Sequence, residues 1–141
     1  MKKHIKERIK KEVCHYIKDW KEIGVDLPVP PCEPKHNSQC MNNCMNEYKA
    51  RRSFAIVEVV SRNYGVVHYL CVDENGNTYD PTLGFEWSGH KYKVRRYIHP
   101  ESGVAMDDQL DSCKRELYQS ACSRLTRLLA KIFFIDYNSV I

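Results

Sequence analysis

The chain reads as an α+β protein: N-terminal helices packed on an antiparallel sheet of about four strands, followed by a long C-terminal helix. Three observations predict this. Apolar residues recur at three- and four-residue steps near both ends of the chain. β-branched runs crowd between residues 54 and 98. No helical pattern separates those runs, which argues against a βαβ layout. With 141 residues, a single domain with one modest core is expected.

Residues 3–23 carry Ile5, Ile9, Val13, Tyr16, Ile17, Trp20 and Ile23 on one helical face, and Gly24 suits the C-terminal cap. The stretch 25–36, which includes DLPVPPCEP, is too rich in proline for a helix and predicts an extended connector. Asn37 or Ser38 can cap a helix running from Gln39 to about Arg52. Phe54–Val60 is β-branched and nearly all apolar, as a central strand covered on both faces should be. Val66–Asp73 and Asn77–Thr82 flank Glu74-Asn75-Gly76, a hairpin signal. Lys91–Ile98 alternates less cleanly, and its basic residues suit an edge strand. From Met106 to Phe134 there is no Gly or Pro. Met106, Leu110, Cys113, Leu117, Ala121, Leu125, Leu128, Leu129, Ile132 and Phe133 make one apolar stripe, predicting one long helix over 105–135 or two abutting ones.

Composition narrows the function classes. Hydrophobic residues at 43% and charged ones at 28% exclude a disordered or low-complexity chain. No apolar run is long enough for a membrane span, so no membrane partner is expected. The first residues are basic with no apolar segment behind them, which is not the pattern of a secretory signal; the expected location is cytoplasmic. The net charge of +4 resides in residues 1–22, with eight basic and four acidic side chains, and the rest of the chain balances. One basic helix on a neutral body does not resemble a nucleic-acid binder, and a solvated face accounts for it. Seven cysteines, an odd number with no export signal, predict reduced thiols. Cys14, Cys71, Cys113 and Cys122 sit in helical or strand patterns as small hydrophobes.

Three groups could act together: Cys40 opening the second helix, His68 on a strand, and Asp80 on the next strand. The first turn of a helix favours a thiolate, an imidazole nearby can serve as base and then acid, and a carboxylate on the other ring nitrogen fixes its tautomer. The hairpin decides whether they can meet. A two-residue loop, Asn75-Gly76, places Asp80 opposite Cys71 and sends His68 to the other face of the sheet. A three-residue loop with Gly76 left-handed places Asp80 opposite Leu70, on the face that His68 shares with Val66, Leu70 and Val72. That face would also offer an apolar bed for the Cys40 helix. Both turns fit the sequence.

A Cys opening a helix, a His strand and an Asp strand ending in Asp80-Pro81-Thr82 resemble the papain-like and transglutaminase-like cysteine hydrolase superfamily. Gln39-Cys40-Met41-Asn42-Asn43, His68-Tyr69 and Tyr79-Asp80-Pro81-Thr82-Leu83-Gly84 are similar to small bacterial and phage proteins of this type. The resemblance spans residues 37–84. It implies a cysteine-peptidase-like fold and a thiol-dependent hydrolase or acyl transferase acting on an amide, isopeptide or related acyl bond. Cys40 would be the nucleophile, His68 the general base and Asp80 the orienting group, with a protein or peptide substrate and no cofactor. Where such enzymes often carry Trp after the nucleophile this chain has Met41, and Pro34-Lys35 stand near the position of their oxyanion glutamine. Asn37 or Gln39, with the Cys40 backbone N–H, would supply the oxyanion donors.

Two other readings use overlapping residues. Cys32, His36, Cys40 and Cys44 fall at a regular spacing and make a chemically sound Cys3His zinc set, which would occupy the Cys40 thiol. Alternatively the chain is a non-catalytic protein-binding module, for example a phage protein that binds a host partner. The C-terminal stripe would then be a homodimer seam or a partner groove rather than part of the core.

Overall fold

The β-branched run at the centre of the chain becomes the middle of a sheet. In a computed structural model, which describes residues 1–17, 40–61, 66–82 and 92–141, the elements are α1 (Lys2–Ile17), α2 (Cys40–Lys49), β1 (Ala55–Ser61), β2 (Val66–Val72), β3 (Thr78–Tyr79), β4 (Tyr92–Ile98), α3 (Met106–Ala121) and α4 (Arg124–Ile132). The sheet is open, with order β3-β2-β1-β4 and every neighbour antiparallel. The protein is thus α+β, with β1 central and β4 at one edge. Trp20, Ile23, Gly24, the proline-rich connector and Leu83-Gly84 lie outside the described residues.

Packing divides the chain into two compact units, one formed by Met1–Trp20 with Leu110–Ile141 and the other by Lys21–Gln109. In the first, α1 buries Ile5, Ile9, Val13 and Ile17, one residue per turn, and packs with α4. Glu12 joins these two helices. Its carboxylate accepts the Ser123 backbone N–H at 3.0 Å and the Thr126 hydroxyl at 2.7 Å, while the Ser123 side chain caps the start of α4. Burial alone would raise the Glu12 carboxyl. The hydrogen bonds from Thr126, Ser123 and Arg8 outweigh it and hold the group below its ordinary value.

Of the two C-terminal expectations, one long helix or two abutting ones, the structure has the second. Extended backbone at Ser123 separates α3 from α4, and the break resets the apolar face. The side of α4 that is buried carries Thr126 and Ala130. Leu125, Leu128 and Ile132 are instead 52%, 53% and 55% exposed, so the apolar stripe does not continue into a common core.

In the second unit, Val57, Val59 and Leu70 form a buried cluster on one face of the sheet, with Val72 and Val94 against it. The opposite face buries a charge. Glu58 is fully buried and accepts hydrogen bonds from the Tyr69 hydroxyl at 2.9 Å and Arg95 at 3.1 Å, with Arg96 at 3.3 Å. A register shift between Glu58 and Val59 explains why two adjacent arginines reach one carboxylate. Glu58 faces Arg96 while Val59 faces Val94, so Arg95 is the extra residue of a bulge.

Candidate active site

The hairpin between β2 and β3 settles the register. The Asp73 N–H donates to the Asn77 carbonyl at 2.8 Å, Gly76 N–H donates to the Asp73 carbonyl at 3.1 Å, and Gly76 has φ +81°. The Asp73 carboxylate also accepts the N–H groups of Asn75 and Asn77, each at 2.9 Å. The loop therefore has three residues. Cys71 faces Tyr79 and Val72 faces Thr78, and one more step in that register sets Asp80 opposite Leu70, on the same face as His68.

β3 stops after Tyr79 because of the residues that follow. Pro81 has no N–H to offer a ladder, and Asp80 Oδ1 instead accepts the Thr82 N–H at 2.8 Å, closing an Asx turn. This leaves Oδ2 directed at His68 Nε2, 2.7 Å away. Asp80 is fully buried and the His68 side chain is 12% exposed, so the pair meets with little water to screen it.

Cys40 is the first residue of α2, where the helix dipole favours a negative charge. Its thiol lies beside the His68 ring and acts on the ring's ionisation. With Nε2 taken by Asp80, Nδ1 is the ring nitrogen left to face the thiol. Burial alone would push the imidazole down. The Asp80 hydrogen bond, the Cys40 hydrogen bond and the charges of both partners outweigh it, and the ring is pushed up from 6.5 to about 10. Both partners therefore favour the protonated ring. Its stabilising contribution to the fold is complete below 6.5 and is lost as pH rises through about 10.

The second thiol of α2 has a different environment. Cys44 is fully buried and donates its S–H to the Tyr69 carbonyl at 3.4 Å. Burial first, then the neighbouring Cys71, Cys40 and Asp80, hold it well above the usual thiol range. Cys71 alternates to the face opposite His68, and α2, which packs with β2, brings Cys40 beside His68 and Cys44 beside Cys71.

Of the residues singled out in the sequence, Cys40, His68 and Asp80 come together. Asn37, Gln39, Cys32 and His36 lie outside the described residues. Among the described residues no group of three or more His, Cys, Asp or Glu side chains is placed to hold a metal ion, and none of the six described cysteines is in a disulfide. No described helix is long and apolar enough to cross a membrane. Sequence reasoning gave no role to Asn43 and Thr82, whose side chains are joined by a buried hydrogen bond of 3.0 Å from Nδ2 to Oγ1. The available signal was positional: Asn43 lies one helical turn after Cys40, and Thr82 stands two residues after Asp80, the spacing of an Asx turn. No family model, curated protein or solved structure matches this chain, so the site rests on its own geometry.

Proposed function

We propose that the protein is a cysteine-dependent hydrolase or acyl transferase that acts on an amide, isopeptide or related acyl bond, in the manner of papain-like and transglutaminase-like enzymes. The observation that carries this reading is the continuous chain from the helix-opening Cys40 thiol through His68 to the buried Asp80 carboxylate. Held next to an imidazolium, Cys40 reacts as a thiolate. Its sulfur bonds to the substrate carbonyl carbon, and the C–N bond breaks as His68 gives its proton to the leaving amine. The acyl group then sits on Cys40 as a thioester. Water, or an acceptor amine, attacks that carbonyl while neutral His68 removes its proton, and the thiolate leaves as the product acid or amide departs. Asp80 keeps Nε2 protonated throughout and steadies the imidazolium.

p-Nitrophenyl acetate tests the reading without knowledge of the natural substrate. A burst of one nitrophenolate per chain is expected, with a single acetyl group mapped to Cys40 by mass spectrometry. Cys40→Ser and His68→Ala should abolish it. Slow acetylation spread evenly over the thiols, unchanged by His68→Ala, would overturn the assignment.

A further inference from the structure

The contacts around the site form a closed circuit. Cys40 interacts with His68, His68 Nε2 bonds to Asp80 Oδ2 at 2.7 Å, Asp80 Oδ1 accepts the Thr82 N–H at 2.8 Å, and Thr82 Oγ1 accepts from Asn43 Nδ2 at 3.0 Å. One turn of α2 leads from Asn43 back to Cys40 on nearly the same helix face. We infer that Asn43 and Thr82 are positioning residues for the proposed thiol chemistry, tying the helix that carries the nucleophile to the turn that carries the orienting carboxylate. This rests on the catalytic reading above.

The physical need for such a tie is clear from where the three groups sit. His68 belongs to a strand held by its ladder with β1, from Val66 to Val72. Asp80 lies just past the two residues of β3, and Cys40 lies on a helix that packs against β2. Hydrogen bonding between thiol and imidazole is steeply sensitive to distance and angle, so a small slide of α2 along β2 would separate them. The Cys44 bond to the Tyr69 carbonyl fixes α2 to the strand, and the Asn43–Thr82 bond joins it to the turn that carries Asp80. That bond is dry: Asn43 is 2% and Thr82 5% exposed. A buried hydrogen bond is stronger and more directional than an exposed one.

The test measures acetylation of Cys40 by p-nitrophenyl acetate, and its alkylation by iodoacetamide at pH 6 relative to pH 8, in full-length variants. Thr82→Val keeps the backbone N–H that Asp80 uses, keeps the side-chain shape, and deletes the hydroxyl. It should slow acetylation about fivefold, the equivalent of one net buried hydrogen bond, and lower the pH 6 to pH 8 ratio. Thr82→Ser should restore both. Asn43→Ala should slow acetylation at least as much as Thr82→Val, and the double variant should be no worse than Asn43→Ala alone, because the bond between them is already lost. Loss of folding stability alone would not move the pH ratio of the folded fraction. Should Asn43→Ala fail to fold, the Thr82 pair decides. If the wild-type protein is selective at Cys40 and His68→Ala removes that selectivity, yet Thr82→Val keeps the wild-type rate and pH ratio, the positioning role is wrong and the catalytic reading stands. If the wild-type protein shows no selectivity at Cys40, the catalytic reading itself falls.

Discussion

Asp80→Asn is expected to lower the rate of the nitrophenolate burst by about 10³-fold or more while leaving the fold intact, a loss of the size known for the same change in other catalytic triads. The reason is tautomeric. The amide oxygen can still accept the Thr82 N–H, as Asp80 Oδ1 does now. The amide nitrogen, however, donates to His68 Nε2 where the carboxylate accepted from it. The ring proton is then forced to Nδ1, which faces the thiol and can no longer take its proton. The buried imidazole also loses its counter-charge, so the desolvation that opposes its ionisation prevails. Stopped-flow measurement of the burst, with circular dichroism to confirm the fold, checks the prediction. A rate within about threefold of wild type would show that Asp80 is only a turn residue.

The second large effect concerns stability. Glu58→Ala is expected to destabilise the protein by about 3 kcal/mol, because it removes a fully buried carboxylate that Arg95, Arg96 and Tyr69 share. Tyr69→Phe deletes one hydrogen bond to the same carboxylate and should cost about 1 kcal/mol. Urea unfolding followed by circular dichroism measures both. If Glu58→Ala shifts stability by less than about 1 kcal/mol, the ion cluster contributes little beyond filling space. Iodoacetamide labelling of Cys40 should survive in Tyr69→Phe, since Tyr69 alternates to the face opposite His68.

The order of helices and strands was legible because periodicity at three to four residues and at two residues is a local property of the sequence. The central position of β1 followed from its nearly continuous β-branched run, and the edge position of β4 from its basic residues. What could not be read depended on contacts distant in sequence. The break between α3 and α4 has no Gly or Pro to mark it, and Glu12, the carboxylate that helps cap α4, is 111 residues from Ser123. The meeting of His68 and Asp80 hinged on one residue of loop length, and the N–H groups collected by Asp73 decide that length only once the chain has folded. Glu58 looked like an interruption in an apolar strand. Its partners depend on a bulge in β4, and two adjacent arginines in a strand were the only local trace of it.

The most direct measurement is the rate of Cys40 alkylation by iodoacetamide as a function of pH, resolved by peptide mass against the other thiols. Asp80 and Cys40 push the His68 ring up to about 10, and the proposed thiolate–imidazolium pair requires the thiol to be ionised well below the range of an ordinary cysteine. The rate at pH 6 should therefore stay within about threefold of the rate at pH 8, whereas a free thiol with a pKa of about 8.5 loses about 75-fold over that interval. A 75-fold fall at Cys40, in step with the other cysteines and unaltered by His68→Ala, would contradict a working thiolate–imidazolium pair.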